Sequence, residues 1–325
     1  MIFRSLLTLL SLLATLSPVR SEIDIDLPAV PTEVKVSIYI IDLIRINGSE
    51  QTFDVDFAVR VSWSDPRLAA PGKGKRQMPL DDVWHPKAAV INLRETTATQ
   101  PKVVEVDEEG NVIYRQRIHG TYACPLDLRQ FPRDEQELFL QVVASRYTPE
   151  EVKIIIDEER SGSRGNFTIT DWEVGGTSVT AEPFTIPDIG KPFPAMRISL
   201  EAKRLTTYYV GTIYATVAII GSMAWLVFWL PVGTIPPRVS MSVTSMLALI
   251  AYRFVAAQDL PRLPYLTRMD FFLVGAAFLI LISLLGVVLI ARRETGGDHE
   301  KALKLNRVFR WIYPTGFAVL LFAFG

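Results

Sequence analysis

Two architectures in one chain are what the sequence predicts: an all-β exported sandwich over residues 22–205, then an all-α four-helix transmembrane domain over residues 206–325. Three observations carry this. An apolar leader opens the chain. Apolar and polar residues alternate strictly through the first half. Four long apolar segments fill the chain from residue 206 onward.

The leader reads as a signal peptide over residues 1–21. Arg4 is followed by the apolar run Leu6 to Leu16 and by Ser17-Pro-Val-Arg-Ser21. The run is too short to span a bilayer, so the segment that follows is expected on the far side of the membrane.

The clearest strand is residues 51–64, QTFDVDFAVRVSWS. Phe53, Val55, Phe57, Val59, Val61 and Trp63 fall on one face, with Asp54, Asp56, Arg60 and Ser62 on the other. A period of two held this long marks a half-buried strand. Val34–Ile46, Val112–Ala123, Glu137–Ala144, Val152–Ile156, Asn166–Val174 and Pro194–Arg204 read the same way. Many such runs, punctuated by Gly, Pro and Asp, argue for an antiparallel, immunoglobulin-like sandwich.

The later segments are Tyr208–Leu230, Pro236–Ala257, Phe271–Ala291 and Val308–Phe324, each near spanning length. The loop between the third and fourth carries Arg292, Arg293, Lys301, Lys304 and Arg307, which puts it on the cytoplasmic side. The sandwich then lies outside, periplasmic if the membrane is a bacterial inner membrane. The second segment differs from the others. On a helix, Ser240, Thr244, Leu247, Ala251 and Phe254 form one stripe, with hydroxyls at one end and apolar groups at the other. A helix facing only lipid has no use for ordered hydroxyls, whereas one lining water does. Hydroxyls replace part of an ion's hydration shell, and an apolar ring can dewet and close. Hydroxyls that bond the preceding turn or glue neighbouring helices are the alternative.

Composition excludes several classes. The net charge is −1, and no basic patch with interleaved aromatics suggests nucleic acid. No nucleophile elbow, phosphate loop, dinucleotide fingerprint or metal-binding His spacing is present, so neither an enzyme nor a cofactor or metal is expected. The acidic runs Asp107–Glu109 and Asp157–Glu159 read as solvated turns. The lone Cys124 cannot form an intrachain disulfide. The inner loop is too short for a cytoplasmic signalling domain, which weighs against a non-conducting periplasmic ligand sensor.

CPLDLRQFPRDEQEL, with Phe131, Pro132 and Asp134 at its centre, resembles the signature loop of the pentameric ligand-gated ion channels, the Cys-loop receptor superfamily. WSDPRL at Trp63–Leu68, VWHPKAAVIN at Val83–Asn92 and LPRLPYLT at Leu260–Thr267 resemble further family segments in the same order. Leu138 stands where the second loop cysteine of animal members would be, and the inner loop is very short. Both features resemble prokaryotic members.

The resemblance implies a homopentamer in the membrane lipid, conducting inorganic ions through a pore lined by Ser240, Thr244, Leu247, Ala251 and Phe254. It implies gating by an unknown small molecule or by protons. Pro236, Pro237 and Arg238 would form the inner mouth. Cation-selective members usually carry a glutamate there, so this mouth suggests anions, with a cation channel of the same fold as the alternative, in which Arg238 points away from the lumen and pairs elsewhere. Asp65, Asp134 and Arg204, with Phe131 and Pro132, would couple the sandwich to a stiff linker of Pro261, Pro264 and Tyr265. In the ligand site between sandwiches, Phe184 and Phe193 would cap the pocket and Arg60 and Arg115 would line its complementary face. This arrangement suits an anion better than an amine.

Overall fold

The computed structural model describes residues 25–186, 190–256 and 263–324. The expected signal peptide and Pro261 lie outside these residues. A sandwich of two antiparallel-dominated sheets comes first, and helices follow.

The large sheet contains β1 (Thr32–Asn47), β2 (Thr52–Ser64), β3 (Arg76–Pro79), β5 (Leu93–Ala98), β6 (Val103–Val106), β7 (Asn111–Ala123), β9 (Val152–Ile156) and β10 (Gly162–Ser163). Its central order is β1-β2-β7-β6-β3, with β5 also on β7. The second sheet runs β11-β14-β8-β4, from β4 (Ala89–Val90), β8 (Glu135–Val143), β11 (Trp172–Thr180) and β14 (Ala195–Arg204). A short hairpin, β12 (Phe184–Thr185) and β13 (Pro192–Phe193), projects from the end of β14.

The period-two pattern decides which faces meet. Phe53, Val55 and Phe57 of β2 are buried against Leu138 and Leu140 of β8 and Ile198 and Leu200 of β14, in one core. Each such side chain contributes about 1.5–3 kcal/mol by leaving water. The expected strand at Asn166–Val174 is displaced to Trp172–Thr180. Thr168 gives its N–H and hydroxyl to the Asp42 carboxylate, and Ile169 N bonds Leu43 O, so this stretch is tied down outside any ladder. Gly175 and Gly176, which the sequence reading places after the strand, sit at an irregularity inside it. Among the short strands, β3 to β6 carry too few residues to show a period.

The four helices are α1 (Thr207–Trp229), α2 (Ile235–Ala256), α3 (Arg268–Thr295) and α4 (His299–Phe324). Among the described residues, α1, α2 and α3 are long and apolar enough to cross a membrane. The fourth helix is 26 residues long, but Arg307 and Arg310 dilute its apolar stretch. The third begins three residues before the expected span, because Thr267 and Asp270 form a reciprocal cap at its start. Helices α3 and α4 approach closely at glycines: a Cβ on Gly286 would lie 2.9 Å from the Phe309 ring, and one on Gly275 would overlap Leu320.

Candidate functional site: the exposed face of the second helix and its coupling to the sandwich

Helix α2 is buried on one side only. Ser242, Ser245, Leu249 and Ala256 turn into the bundle, and the Ser242 and Ser245 hydroxyls bond the carbonyls one turn back, Arg238 O and Met241 O. The stripe of Ser240, Thr244, Leu247, Ala251 and Phe254 lies on the opposite side and is exposed throughout. Leu247 is 61 % and Phe254 73 % exposed, so they stand largely uncovered among the described residues. Two kinds of hydroxyl thus occupy one helix. One kind is spent on backbone, and the other is presented outward.

The back of α2 is pinned to α1. A π-turn at Val210–Tyr214 opens the first helix, and Tyr252 Oη donates to Thr212 O at 2.9 Å within it. The N-terminus of α2 lies at the end of the bundle remote from the sandwich, near Glu294 at the end of α3.

Pro236 and Pro237 are exposed at that end, but Arg238 is not. Its guanidinium is 1 % exposed and turns into the bundle. There Nε donates to Val227 O at 3.1 Å and Nη2 to Asn306 Oδ1. Asn306 Nδ2 and Arg310 both bond Phe228 O, at 2.9 Å and 3.0 Å, and Arg310 stacks 4.4 Å over the Trp229 ring. The reason is local. The end of α1 leaves carbonyls without helical partners, and two cations with an amide satisfy them. Of the two readings of Arg238, the structure has the one in which it turns away and pairs elsewhere, so it does not line the mouth of its own chain. Asn306 and Arg310 escaped the sequence reading. The available signal was their polarity within an otherwise apolar segment, since such residues pair with something.

At the other end the sandwich meets the helices. Arg204, the last residue of β14, forks onto Asp134 with Nε–Oδ1 at 2.8 Å and Nη2–Oδ2 at 3.0 Å. Both are buried, at 8 % and 1 % exposed. Gln136 Nε2 gives the carboxylate another bond at 2.8 Å. The rings of Trp172, Phe131 and Tyr209 surround the guanidinium at 4.1, 4.9 and 5.7 Å. Burial works against the Arg204 charge, but the hydrogen bond and charge of Asp134 outweigh it and hold its pKa above the usual arginine value. The signature loop also touches the third helix and its leader: Leu128 N donates to Tyr265 Oη at 3.2 Å, and Arg268 N to Arg129 O at 2.9 Å. Pro264, beside Tyr265, lies in the same leader.

Asp65 does not belong to this cluster, contrary to the expectation. It follows the far end of β2, a strand of 13 residues and so about 40 Å long. The near end, Thr52, pairs with Ala123 at the start of the signature loop. Asp65 instead takes two bonds from the Arg67 guanidinium at 2.8 Å and caps a turn through Arg67 N.

Arg60 and Arg115 stand directly opposite on β2 and β7, on the outer face of the large sheet. Arg115 Nη1 contacts Glu105 Oε2 at 3.1 Å, and hydrogen bonds from Lys75 and then Arg115 hold the Glu105 carboxyl below the usual range. Phe184 and Phe193 pair across the β12–β13 hairpin and pack on Val143 and Ala195 of the second sheet. One chain thus carries the two halves on different sheets.

No group of side chains able to hold a metal is found among the described residues. The family model for the neurotransmitter-gated ion-channel ligand binding domain matches residues 15–186, and that for the neurotransmitter-gated ion-channel transmembrane region matches residues 213–316. A proton-gated ion channel of Gloeobacter violaceus is 21 % identical over 291 residues, which cover 88 % of this chain and 80 % of the relative.

Proposed function

This chain belongs to the neurotransmitter-gated ion-channel family, membrane-spanning channels with an extracellular ligand-binding domain, and from that premise we propose that five copies surround a pore lined by the exposed face of α2. The single observation carrying this reading is the uncovered stripe from Ser240 to Phe254 on a helix whose other side, at Ser242, Ser245 and Leu249, packs into its bundle. Five copies of a helix about 33 Å long at 1.5 Å per residue hold both a filter and a gate. Ser240 and Thr244 form the polar inner rings, and Leu247 and Phe254 the apolar gate. The sandwich faces the periplasm, the protein sits in the inner membrane, and residues 1–21 are removed on export.

In this assembly, Phe184 and Phe193 of one subunit approach Arg60 and Arg115 of the next, and the stimulus is an anionic small molecule. Protons are the second reading, favoured by the description of the Gloeobacter relative as proton-gated. Displacement of the signature loop passes through Phe131, Pro132 and the Asp134–Arg204 pair to Tyr265, Pro264 and Pro261. Proline fixes φ, so this linker transmits movement rather than absorbing it.

Selectivity follows from the inner mouth. Pro236 and Pro237 leave it without a carboxylate, and Arg238 is held in the bundle. What remains is the positive end of each α2 dipole, a fractional charge that favours anions weakly. Recordings from the purified protein in planar bilayers, across pH and a panel of carboxylates, test the function. In a sodium chloride gradient the reversal potential is expected to move part of the way toward the chloride equilibrium. A shift toward the sodium equilibrium defeats the selectivity assignment, and the absence of current under every stimulus defeats the channel.

A further inference from the structure

The signature loop has no covalent closure, since Leu138 stands in place of a second cysteine and Cys124 is a free, buried thiol. Its contacts with the third helix and its leader nevertheless come from one short segment, residues 128–133. Leu128 N donates to Tyr265 Oη at 3.2 Å, and Arg129 O accepts from Arg268 N at 2.9 Å. The segment is folded on itself by two turns, with Phe131 N on Leu128 O at 3.0 Å and Arg133 N on Gln130 O at 2.7 Å. Those turns shape the segment but do not fix its ends.

One side chain reaches both ends. Gln136, on β8, is 6 % exposed. Its amide pairs with both backbone groups of Asp127, just before the segment. Asp127 N donates to Oε1 at 3.0 Å, and Nε2 donates to Asp127 O at 2.8 Å. Nε2 also donates to Asp134 Oδ2, just after the segment, at 2.8 Å. A primary amide has two protons to give, and both are used within the loop. Strand β8 itself is held between β4 and β14, so the amide is anchored to the second sheet. Removing it would leave buried partners unpaired, which costs more than the bonds themselves contribute.

We propose that the Gln136 amide is the latch of the signature loop. It closes the loop by hydrogen bonds and seats residues 128–133 against Tyr265 and Arg268, which makes Gln136 a positioning residue for gating. The gating role rests on the coupling route proposed above, whereas the closure does not.

Hydrogen–deuterium exchange of the full-length, detergent-solubilised protein, read by mass spectrometry, tests the latch without reference to current. Gln136→Met keeps the length of the side chain and removes its bonds to Asp127 and Asp134. Exchange at the amides of Asp127, Leu128 and Arg268 is expected to rise about tenfold or more, as for one to two net hydrogen bonds lost. The amides of β7 are expected to keep their wild-type rates. Gln136→Glu makes the latch titratable. Its ionised carboxylate has no proton for Asp127 O and repels Asp134, while its protonated form can donate one bond. Its excess exchange over wild type at the same pH is therefore expected to shrink as pH is lowered, which a space-filling residue would not show. The Cys124 thiol lies against Glu137 O at 3.3 Å, beside Leu138. Adding Leu138→Cys to Gln136→Met therefore offers it a partner, and oxidised protein with that disulfide verified by mass is expected to regain wild-type rates in the loop. In recordings, Gln136→Met is expected to need severalfold more stimulus for half-maximal current. Wild-type exchange in Gln136→Met overturns the latch. So does an excess in Gln136→Glu that ignores pH, or a verified disulfide that restores nothing. Fast exchange with an unchanged stimulus response overturns the gating role. A wild type that passes no current overturns the channel and the gating role with it, while exchange still decides the closure.

Discussion

Arg204→Ala is expected to abolish stimulus-evoked current and to lower the yield of assembled protein. The substitution removes the fork that holds Asp134 at 2.8 and 3.0 Å, leaving a carboxylate that is 1 % exposed with Gln136 as its side-chain partner. Breaking a buried ion pair on one side costs about 3–5 kcal/mol, because the remaining charge stays desolvated. It also empties the space between the rings of Phe131, Trp172 and Tyr209, where the signature loop, the last strand and the first helix meet. Arg204→Lys keeps the charge but not the two-pronged geometry, so an intermediate loss is expected. Size-exclusion profiles alongside bilayer recordings separate failed assembly from failed gating. Wild-type currents from Arg204→Ala reject the coupling role.

The second large effect is expected at the gate. Leu247→Ser places five hydroxyls where the proposed ring excludes water, and a standing current without stimulus is the expected outcome. Because Leu247 is 61 % exposed within its own chain, no packing inside the subunit is lost, and the stability of the subunit fold should change by no more than about 0.5 kcal/mol. Leu249→Ala, two residues along and buried in the bundle, is the matched control. It should cost about 2–5 kcal/mol of stability and open no leak. A closed, stimulus-dependent Leu247→Ser channel would remove the hydrophobic gate from the account.

What the sequence disclosed follows the physics that is local. The alternation in β2 and the stripe on α2 are periodic, and a period identifies a face without knowing what covers it. The same logic separates Ser240 and Thr244 from Ser242 and Ser245, since they lie on opposite sides of a 3.6-residue turn. The place of Asp65 is not legible in the sequence, and that of Arg238 stays open between two readings, because both are set at a distance. The order of motifs in the chain does not say which end of a 40 Å strand a residue occupies (about 13 residues at 3.3 Å each), and Asp65 sits at the far one. The fate of Arg238 depends on Asn306 and Arg310, which come from another helix and meet it only when α1, α2 and α4 pack. The strand expected over Asn166–Val174 is displaced to Trp172–Thr180 for a third reason. Two glycines that look like a terminator are absorbed as a bulge when β14 supplies a ladder on which to form one.

The central claim is that the exposed face of α2 lines a water-filled path in the assembled protein. Single cysteines at Thr244, Leu247, Ser245 and Leu249, treated with a charged, water-soluble thiol reagent during recording, test it most directly. The native thiol does not interfere, because Cys124 is buried and burial raises its pKa, keeping it in the unreactive form. Irreversible block is expected for Thr244→Cys and Leu247→Cys and none for Ser245→Cys and Leu249→Cys. Modification confined to the Ser245 and Leu249 positions, with Thr244 and Leu247 untouched in a conducting protein, would contradict the account.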